Sequence, residues 1–373
     1  MIAATMGTTA RPTPAVLPKP VLSICVTTYN RAPWLVHSLP LILEQTRPYP
    51  DLVEVVVCDN ASTDETPSVS ERFRAWPNLR VHRNETNVGM LGNLGVSARQ
   101  ARGRYVWVIG DDDLMVEGAV ERVLAAIACH PDTELIYTNY AYTSFDRPQD
   151  LAHPGEIVRS ATLMSTRVRD EFASAVRTLS TKSYNCFTAI YCLVLREDHA
   201  RGAYCQDTSG PPFSSLPTCV PSTHYVLETV FDRPGYWVGD PCVVVNHNVS
   251  WTRYAALYVL ERFPEIFERM EERGADAMEV DRLRAIHLDQ VPTWVSETYF
   301  GSQTEHLQNF SMERLVRRFG RLPEFARVWP RLRALYARRF RQGPVEDPAL
   351  TPERLDAIAR EAAASGSRTP TAG

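Results

Sequence analysis

The chain has 373 residues, 44% of them apolar and 23% charged, with a formal net charge of -4. That length buries an ordinary core without disulfide or metal staples, and the charge gives no reason to expect nucleic acid as a partner. Eight cysteines include no Cys-x-x-Cys pair, which argues against a zinc ribbon or a thioredoxin-like redox site.

Residues 1–20 mix Thr, Pro and Ala without a basic start or a continuous apolar stretch, so they read as a disordered tail rather than a signal peptide. No apolar run approaches the roughly 20 residues needed to cross a bilayer. A cytoplasmic location with free thiols is therefore expected, and Cys25 and Cys58 inside apolar runs read as buried. The Asn-x-Ser/Thr matches at Asn60, Asn84, Asn248 and Asn309 count as chance.

Val21–Thr27 is a continuous apolar and β-branched run, as a strand buried on both faces requires. Pro33 suits the first turn of a helix reaching about Gln45. Leu52–Cys58 is a second buried strand, and Ser62 or Thr63 can cap a helix running toward Trp76. Leu79–Arg83 is a short strand. Asn93–Arg102 is a short helix that Gly103 can end. Tyr105–Ile109 is a third buried strand running straight into Gly110-Asp111-Asp112-Asp113. Glu117–Cys129 fits a helix and Glu134–Tyr142 a strand. This alternation predicts an α/β fold with a doubly wound, mainly parallel sheet and ligands at the strands' carboxyl ends.

Beyond residue 146 the pattern loosens. Arg167–Leu179 reads as a helix, Asn185–Leu195 as a strand, 202–221 as a loop, Ser222–Phe231 as a helix and Cys242–Asn246 as a strand. From about Tyr254 to Arg341, Leu, Phe, Ile and Val recur at helical spacing. The expected organisation is a catalytic domain over 21–253, a helical C-terminal extension over 254–360, and a disordered tail over 361–373.

Four segments at strand ends carry the chemistry: 27–31, 59–64, 87–93 and 110–113. A parallel sheet brings them to one crevice. Three adjacent carboxylates at a buried strand end repel one another and cost desolvation, and a divalent cation with a diphosphate compensates them. Mg²⁺ or Mn²⁺ would then act as a Lewis acid on the leaving group. The alternative is an acidic cluster favouring the N-terminus of the following helix. Asp59 can accept hydrogen bonds from a base or ribose, or serve as a turn residue. The glycines of 87–93 allow close backbone approach. Tyr29 can stack on a base or pack.

Taken together, Ser23–Arg31, Val57–Asp64, Asn87-Val88-Gly89 and Asp111–Asp113 resemble, in order and spacing, the family-two glycosyltransferases of the GT-A fold. The match is close from Val21 to Asp113 and loose to Trp251. Gly-Asp-Asp-Asp with its upstream Trp-Val-Ile is similar to bacterial abequosyltransferase-like members. The resemblance implies inverting transfer from a nucleoside-diphosphate sugar, a UDP-sugar being favoured, with a divalent metal, Mn²⁺ or Mg²⁺. It places Thr27 and Tyr29 at the base and Asp59 at the base or ribose. Asp111 falls near the ribose, Asp112 leads the metal ligands, and Asp113 serves metal or donor sugar. Arg31, Asn87 and Asn93 stand in the same loops and join the donor-binding set.

The family's usual Glu-Asp pair on the acceptor side is missing from Pro221–Glu228. His224 is the chemically suitable replacement base, Glu228 one turn later could orient it or act itself, and Asp207 is a further candidate. His247 follows a strand where the resemblance places a metal-binding histidine, and a loop histidine is the plainer reading. Trp251 can cover a sugar face or pack.

From Glu313 to Arg341 ten arginines face two glutamates. The segment reads first as a solvated helical face, with peripheral contact to anionic lipid as the other reading. The acceptor (polysaccharide, lipid-linked or secondary metabolite) and the oligomeric state are open. A sugar-nucleotide pyrophosphorylase and a non-catalytic nucleotide-sugar-binding protein are the competing classes.

Overall fold

The computed structural model describes residues 19–145, 147–246 and 251–366. Its first half alternates strand and helix as the apolar runs require: β1 Leu22–Thr28, α1 Ala32–Thr46, β2 Val53–Asp59, α2 Thr66–Arg72, β3 Leu79–Arg83, α3 Gly89–Gln100 and β4 Tyr105–Gly110. A two-residue β5 (Leu114–Met115), α4 (Ala119–Cys129) and β6 (Leu135–Thr143) follow. Next come α5 (Pro154–Ser160), β7 (Thr162–Leu163), β8 (Glu171–Ala173), β9 (Leu193–Arg196), α6 (Glu197–Tyr204), α7 (Pro221–Tyr225, continuing as a π turn to Val230) and β10 (Gly235–Asn246).

One sheet holds these strands in the order β3-β2-β1-β4-β9-β6-β10-β5, with β7 on β6 and β8 on β10. β3, β2, β1 and β4 are parallel, as are β6 and β10. β9 lies antiparallel between β4 and β6. β1, β2 and β4 are buried on both faces, each fully buried Val, Leu or Ile contributing about 1.5–3 kcal/mol, while the edge strand β3 is half-buried. Glu54 interrupts the apolar run of β2. Its buried carboxylate accepts from Ser23 Oγ at 2.6 Å, Arg102 N at 2.6 Å and Arg80 Nη1 at 2.9 Å, which offsets the desolvation. All eight cysteines are free, and burial pushes the Cys58 thiol up to about 11.

Several sequence expectations are corrected here. Arg167–Leu179 is not a helix. Phe172 and Ala173 pair with Tyr236 and Gly235, Trp237 Nε1 donates to Arg167 O at 2.8 Å, and only 176–179 form a short 3-10 turn. Asp170 fixes the crossing by accepting from Gly239 N at 2.8 Å. Asn185–Leu195 is strand only from Leu193, because Cys186 and Phe187 take positive φ (46° and 68°) and Thr188 N closes a turn on Asn185 O at 2.8 Å. The helix expected from Asn93 begins at Gly89. Gly103 does not end it: a Cβ there would lie 2.6 Å from Ser23 N, so that glycine lets the chain pass β1. The N-cap position of α2 is Glu65, not Ser62 or Thr63, and Asp64 just before it accepts from Thr66 N through Oδ1 at 2.9 Å.

The C-terminal part is helical: α8 Ala255–Leu257 running on as a π turn to Arg262, α9 Phe263–Glu272, α10 Ala277–Leu288, α11 Val291–Phe300, α12 Met312–Phe319, α13 Phe325–Gln342 and α14 Pro352–Gly366. Residues 361–366, expected in the tail, belong to α14, whose Leu355 and Ile358 are buried and whose Ala362 packs at Gly320. Residues 1–18 and 367–373 lie outside the described residues. The arginine-rich segment pairs largely within the chain: Arg318 with Glu261 and Glu268, Arg321 with Glu271 and Asp281, Arg327 with Asp289, and Arg333 with Asp356. Among the described residues no helix is long and apolar enough to cross a membrane.

Candidate active site

The register sets the carboxyl ends of β1, β2 and β4 side by side, Thr28 opposite Asp59 and Thr27 opposite Gly110. Four loops leave this edge, and side-chain hydrogen bonds tie them together. Asn30, in the left-handed region at φ 52°, donates its N–H to Ser62 Oγ at 2.8 Å and accepts from Thr63 N at 2.7 Å. Arg31 N donates to Thr66 Oγ1 at 3.0 Å and Ala32 N to Asp64 Oδ2 at 3.2 Å. Asn60 joins the second loop to the third, donating to Asn87 Oδ1 at 2.8 Å and Gly89 O at 3.2 Å. Asn93, inside α3, donates to Cys58 O at 3.0 Å. The expected convergence of the four segments is therefore a network of contacts.

Asp59 is buried. Its Oδ1 accepts from Ser62 N at 2.9 Å, while its Oδ2 has no hydrogen-bond partner among the described residues and forms an ion pair with Arg83 Nε at 3.7 Å. A buried carboxylate oxygen left without a donor is costly, and a base or ribose N–H or O–H would satisfy it. The Thr27 hydroxyl reaches Ile109 O at 3.4 Å. Tyr29, Val88 and Met90 are exposed around the same mouth, Tyr29 at 42% and Met90 at 59%, and offer apolar surface to a flat ring.

Asp111 and Asp113 are buried and Asp112 is partly exposed. Burial, then the neighbouring Asp112 charge, pushes the Asp111 carboxyl up to about 7 and Asp113 to about 8. Gly110 permits this fold-back: a Cβ there would meet Asp113 Oδ2 at 2.9 Å and Asp112 Oδ1 at 3.0 Å. Arg31 partly offsets the charge. Its Nε donates to Asp111 Oδ1 at 3.3 Å and its Nη2 to Asp112 Oδ2. Tyr191 and the backbone of Asn246, at the end of β10, also lie beside Asp113.

These carboxylates are hard oxygen donors with unbalanced negative charge, which fits a divalent cation that takes its remaining ligands from a diphosphate. Among the described residues no three His, Cys, Asp or Glu side chains form a ligand group. Among the described residues, Asp112 and Asp113 are the side chains that would hold such an ion. His247 lies outside the described residues.

The three base candidates sit in different settings. His224 Nδ1 donates to Gln206 Oε1 at 2.9 Å, and Gln206 Nε2 donates to Ala203 O and Pro221 O, both at 2.7 Å. That arrangement fixes the amide and leaves His224 Nε2 with its lone pair, the form a base needs. Glu228 does not orient His224. Its carboxylate pairs with Arg269 of α9 at 3.4 Å and with Arg273, just past the end of α9, at 3.5 Å. Asp207 is exposed, and the Ser209 N–H that it accepts at 2.8 Å holds its carboxyl below the usual range. Sequence reasoning missed Gln206, Arg83, Asn60 and Asn84. Arg83 could have been noted as the last residue of β3, at the same sheet edge as Asp59.

Residues 23–186 match the family described as Glycosyl transferase family 2. The chain is similar to the poly(ribitol-phosphate) beta-N-acetylglucosaminyltransferase TarS of Staphylococcus aureus, 30% identical over 147 residues, 39% of this chain and 25% of that protein. It is similar to an uncharacterized glycosyltransferase of Haemophilus influenzae, 30% identical over 156 residues, 40% of this chain and 50% of the other. The matches thus span a quarter to a half of these relatives' length. The crystal structure of S. aureus TarS 1-349 superposes with a TM-score of 0.52 at 17% identity, covering 92% of this chain and 88% of that one. At that identity the likeness shows the GT-A fold.

Proposed function

We propose that this chain, with its family-two glycosyl transferase domain over 23–186, transfers a sugar from a nucleoside-diphosphate donor to an acceptor hydroxyl. The observation that carries the reading is the union of Asp59, with its unpartnered buried oxygen, and the Asp111–Asp113 run at one sheet edge. A UDP-sugar is the favoured donor. Asp59 takes a donor from the base or ribose, Tyr29 lines the base, and Thr27, Asn87 and Asn93 shape the pocket. Asp111 lies toward the ribose. Asp112, with Asp113, would hold Mn²⁺ or Mg²⁺, and the bound ion would supply Lewis-acid neutralisation of the leaving diphosphate.

The acceptor oxygen attacks sugar C1 as the C1–O bond to the diphosphate breaks, with inversion. The acceptor proton passes to a base, for which His224 Nε2 is favoured because Gln206 presets its tautomer. The Gly-Asp-Asp-Asp form supports an abequosyltransferase-like placement within the family. The whole protein's acceptor belongs to the same proposal: polysaccharide, lipid-linked or secondary-metabolite hydroxyls fit it.

The test is a panel of UDP-, dTDP- and GDP-sugars with simple glycoside acceptors. Nucleoside diphosphate release and product anomeric configuration would be followed with and without Mn²⁺. Metal-dependent release with an inverted anomer supports the reading. Pyrophosphate release from a nucleoside triphosphate would point to a pyrophosphorylase instead.

A further inference from the structure

Arg31 stands where a cation is needed. Its guanidinium holds Asp111 at 3.3 Å through Nε and Asp112 through Nη2, and its side chain is 38% exposed at the mouth of the crevice. The backbone beneath it is immobilised: Arg31 N donates to Thr66 Oγ1, and Asn30 is bonded on both sides to the 62–63 segment. The guanidinium also rests over Trp34, with Cζ 5.5 Å from the ring centroid. A fixed backbone with a charged end partly open to solvent suits a group that changes partners.

A divalent ion at Asp112 would set a second positive charge against the guanidinium that already holds Oδ2, so each cation weakens the other's hold on that carboxylate. We infer that Arg31 is the resident counter-cation of the donor-free site, releasing Asp112 as metal and nucleoside diphosphate enter and pairing instead with the diphosphate. The physical reason lies in the alternatives open to it. A metal ion arriving alone must displace the charge-assisted bond to Asp112 and leave the guanidinium with Asp111 alone, next to a second positive charge. A metal arriving with a nucleoside diphosphate offers that guanidinium a bidentate phosphate partner. Arg31 is then a positioning residue that makes metal binding conditional on the nucleotide. The inference rests on the proposed reading of 111–113 as the donor and metal site.

The test measures Mn²⁺ affinity by electron paramagnetic resonance for the full chain, Arg31→Gln and Arg31→Lys, each with and without saturating UDP. For the native chain, UDP is expected to tighten Mn²⁺ binding roughly tenfold or more. Arg31→Gln is expected to bind Mn²⁺ alone roughly tenfold more tightly than the native chain, with a much smaller gain from UDP. Arg31→Lys, keeping the charge without the fork, should fall between. If Arg31→Gln binds Mn²⁺ alone as weakly as the native chain and UDP strengthens both equally, the switch is overturned while the metal site stands. If no chain holds Mn²⁺ with UDP, dTDP or GDP, the metal site falls and the switch with it.

Discussion

Asn84 Nδ2 donates to Asn60 Oδ1 at 2.9 Å, joining the end of β3 to the loop that follows Asp59. The same Oδ1 accepts from Val88 N at 3.0 Å, and Asn84 also donates to Asn93 Oδ1 at 3.0 Å. Buried amides so arranged hold the second and third loops in one geometry. Asn60→Ala strands the Val88 N–H and half of the Asn84 amide. It should cost about 1–3 kcal/mol in a denaturant titration and weaken UDP binding as well.

Asp59→Asn separates binding from stability. The amide oxygen can still accept from Ser62 N, but the unpartnered Oδ2 is replaced by a donor. UDP affinity, measured calorimetrically, should fall roughly tenfold or more. The unliganded melting temperature should hold or rise, because an under-satisfied buried charge has been removed.

Asp113 makes a pH-dependent prediction. Its folded-state pKa is raised to about 8 from a model-peptide value near 4, so the folded chain binds the extra proton between those values. Its contribution to stability is full below the unfolded pKa and lost as pH rises through about 8. In EDTA, Asp113→Asn should therefore stabilise the chain by at least about 1 kcal/mol more at pH 8.5 than at pH 4.

His287 works in the opposite direction. It is fully buried, its Nε2 donating to Val259 O at 2.8 Å and its Nδ1 accepting from Tyr184 OH at 2.6 Å, stacked between Phe263 and Phe319. Burial lowers its pKa to about 4. The unfolded chain binds the proton first, so stability is full above the unfolded value near 6.5 and declines as pH falls toward 4, by about 3 kcal/mol in all. His287→Gln should flatten this slope between pH 7 and 5, read from denaturant midpoints, even if it lowers stability overall.

The base candidates predict different kinetics. His224→Ala should lower kcat by about 10²–10⁴ with little change in donor KM. Gln206→Leu should lower it less and shift the pH profile. Glu228→Gln should act on thermal stability through Arg269 and Arg273, and Asp207→Asn should be close to neutral. A kcat collapse at Asp207 with a normal His224→Ala would reassign the base.

What could be read from the chain was what neighbours in sequence determine. The runs around Ile24, Val56 and Val108 announce doubly buried strands, and parallel strands carry Asp59 and Asp111–Asp113 to one edge. What could not be read depends on distant partners. Nothing local in Leu193–Arg196 says that it inserts antiparallel between β4 and β6. The helical spacing of His224 and Glu228 suggested a pair, but Arg269 and Arg273, more than forty residues on, draw the carboxylate away. Likewise the charge of 111–113 called for a cation, and Arg31, eighty residues earlier, already provides part of one.

The central claim is that Asp112 and its neighbours form a nucleotide and metal site. It is tested most directly by thermal shift with UDP and Mn²⁺, singly and together, on the native chain and Asp112→Asn. A large stabilisation of the native chain only when both are present, absent in Asp112→Asn, is the expected result. An equal shift by UDP in EDTA, or an undiminished combined shift in Asp112→Asn, would contradict the account.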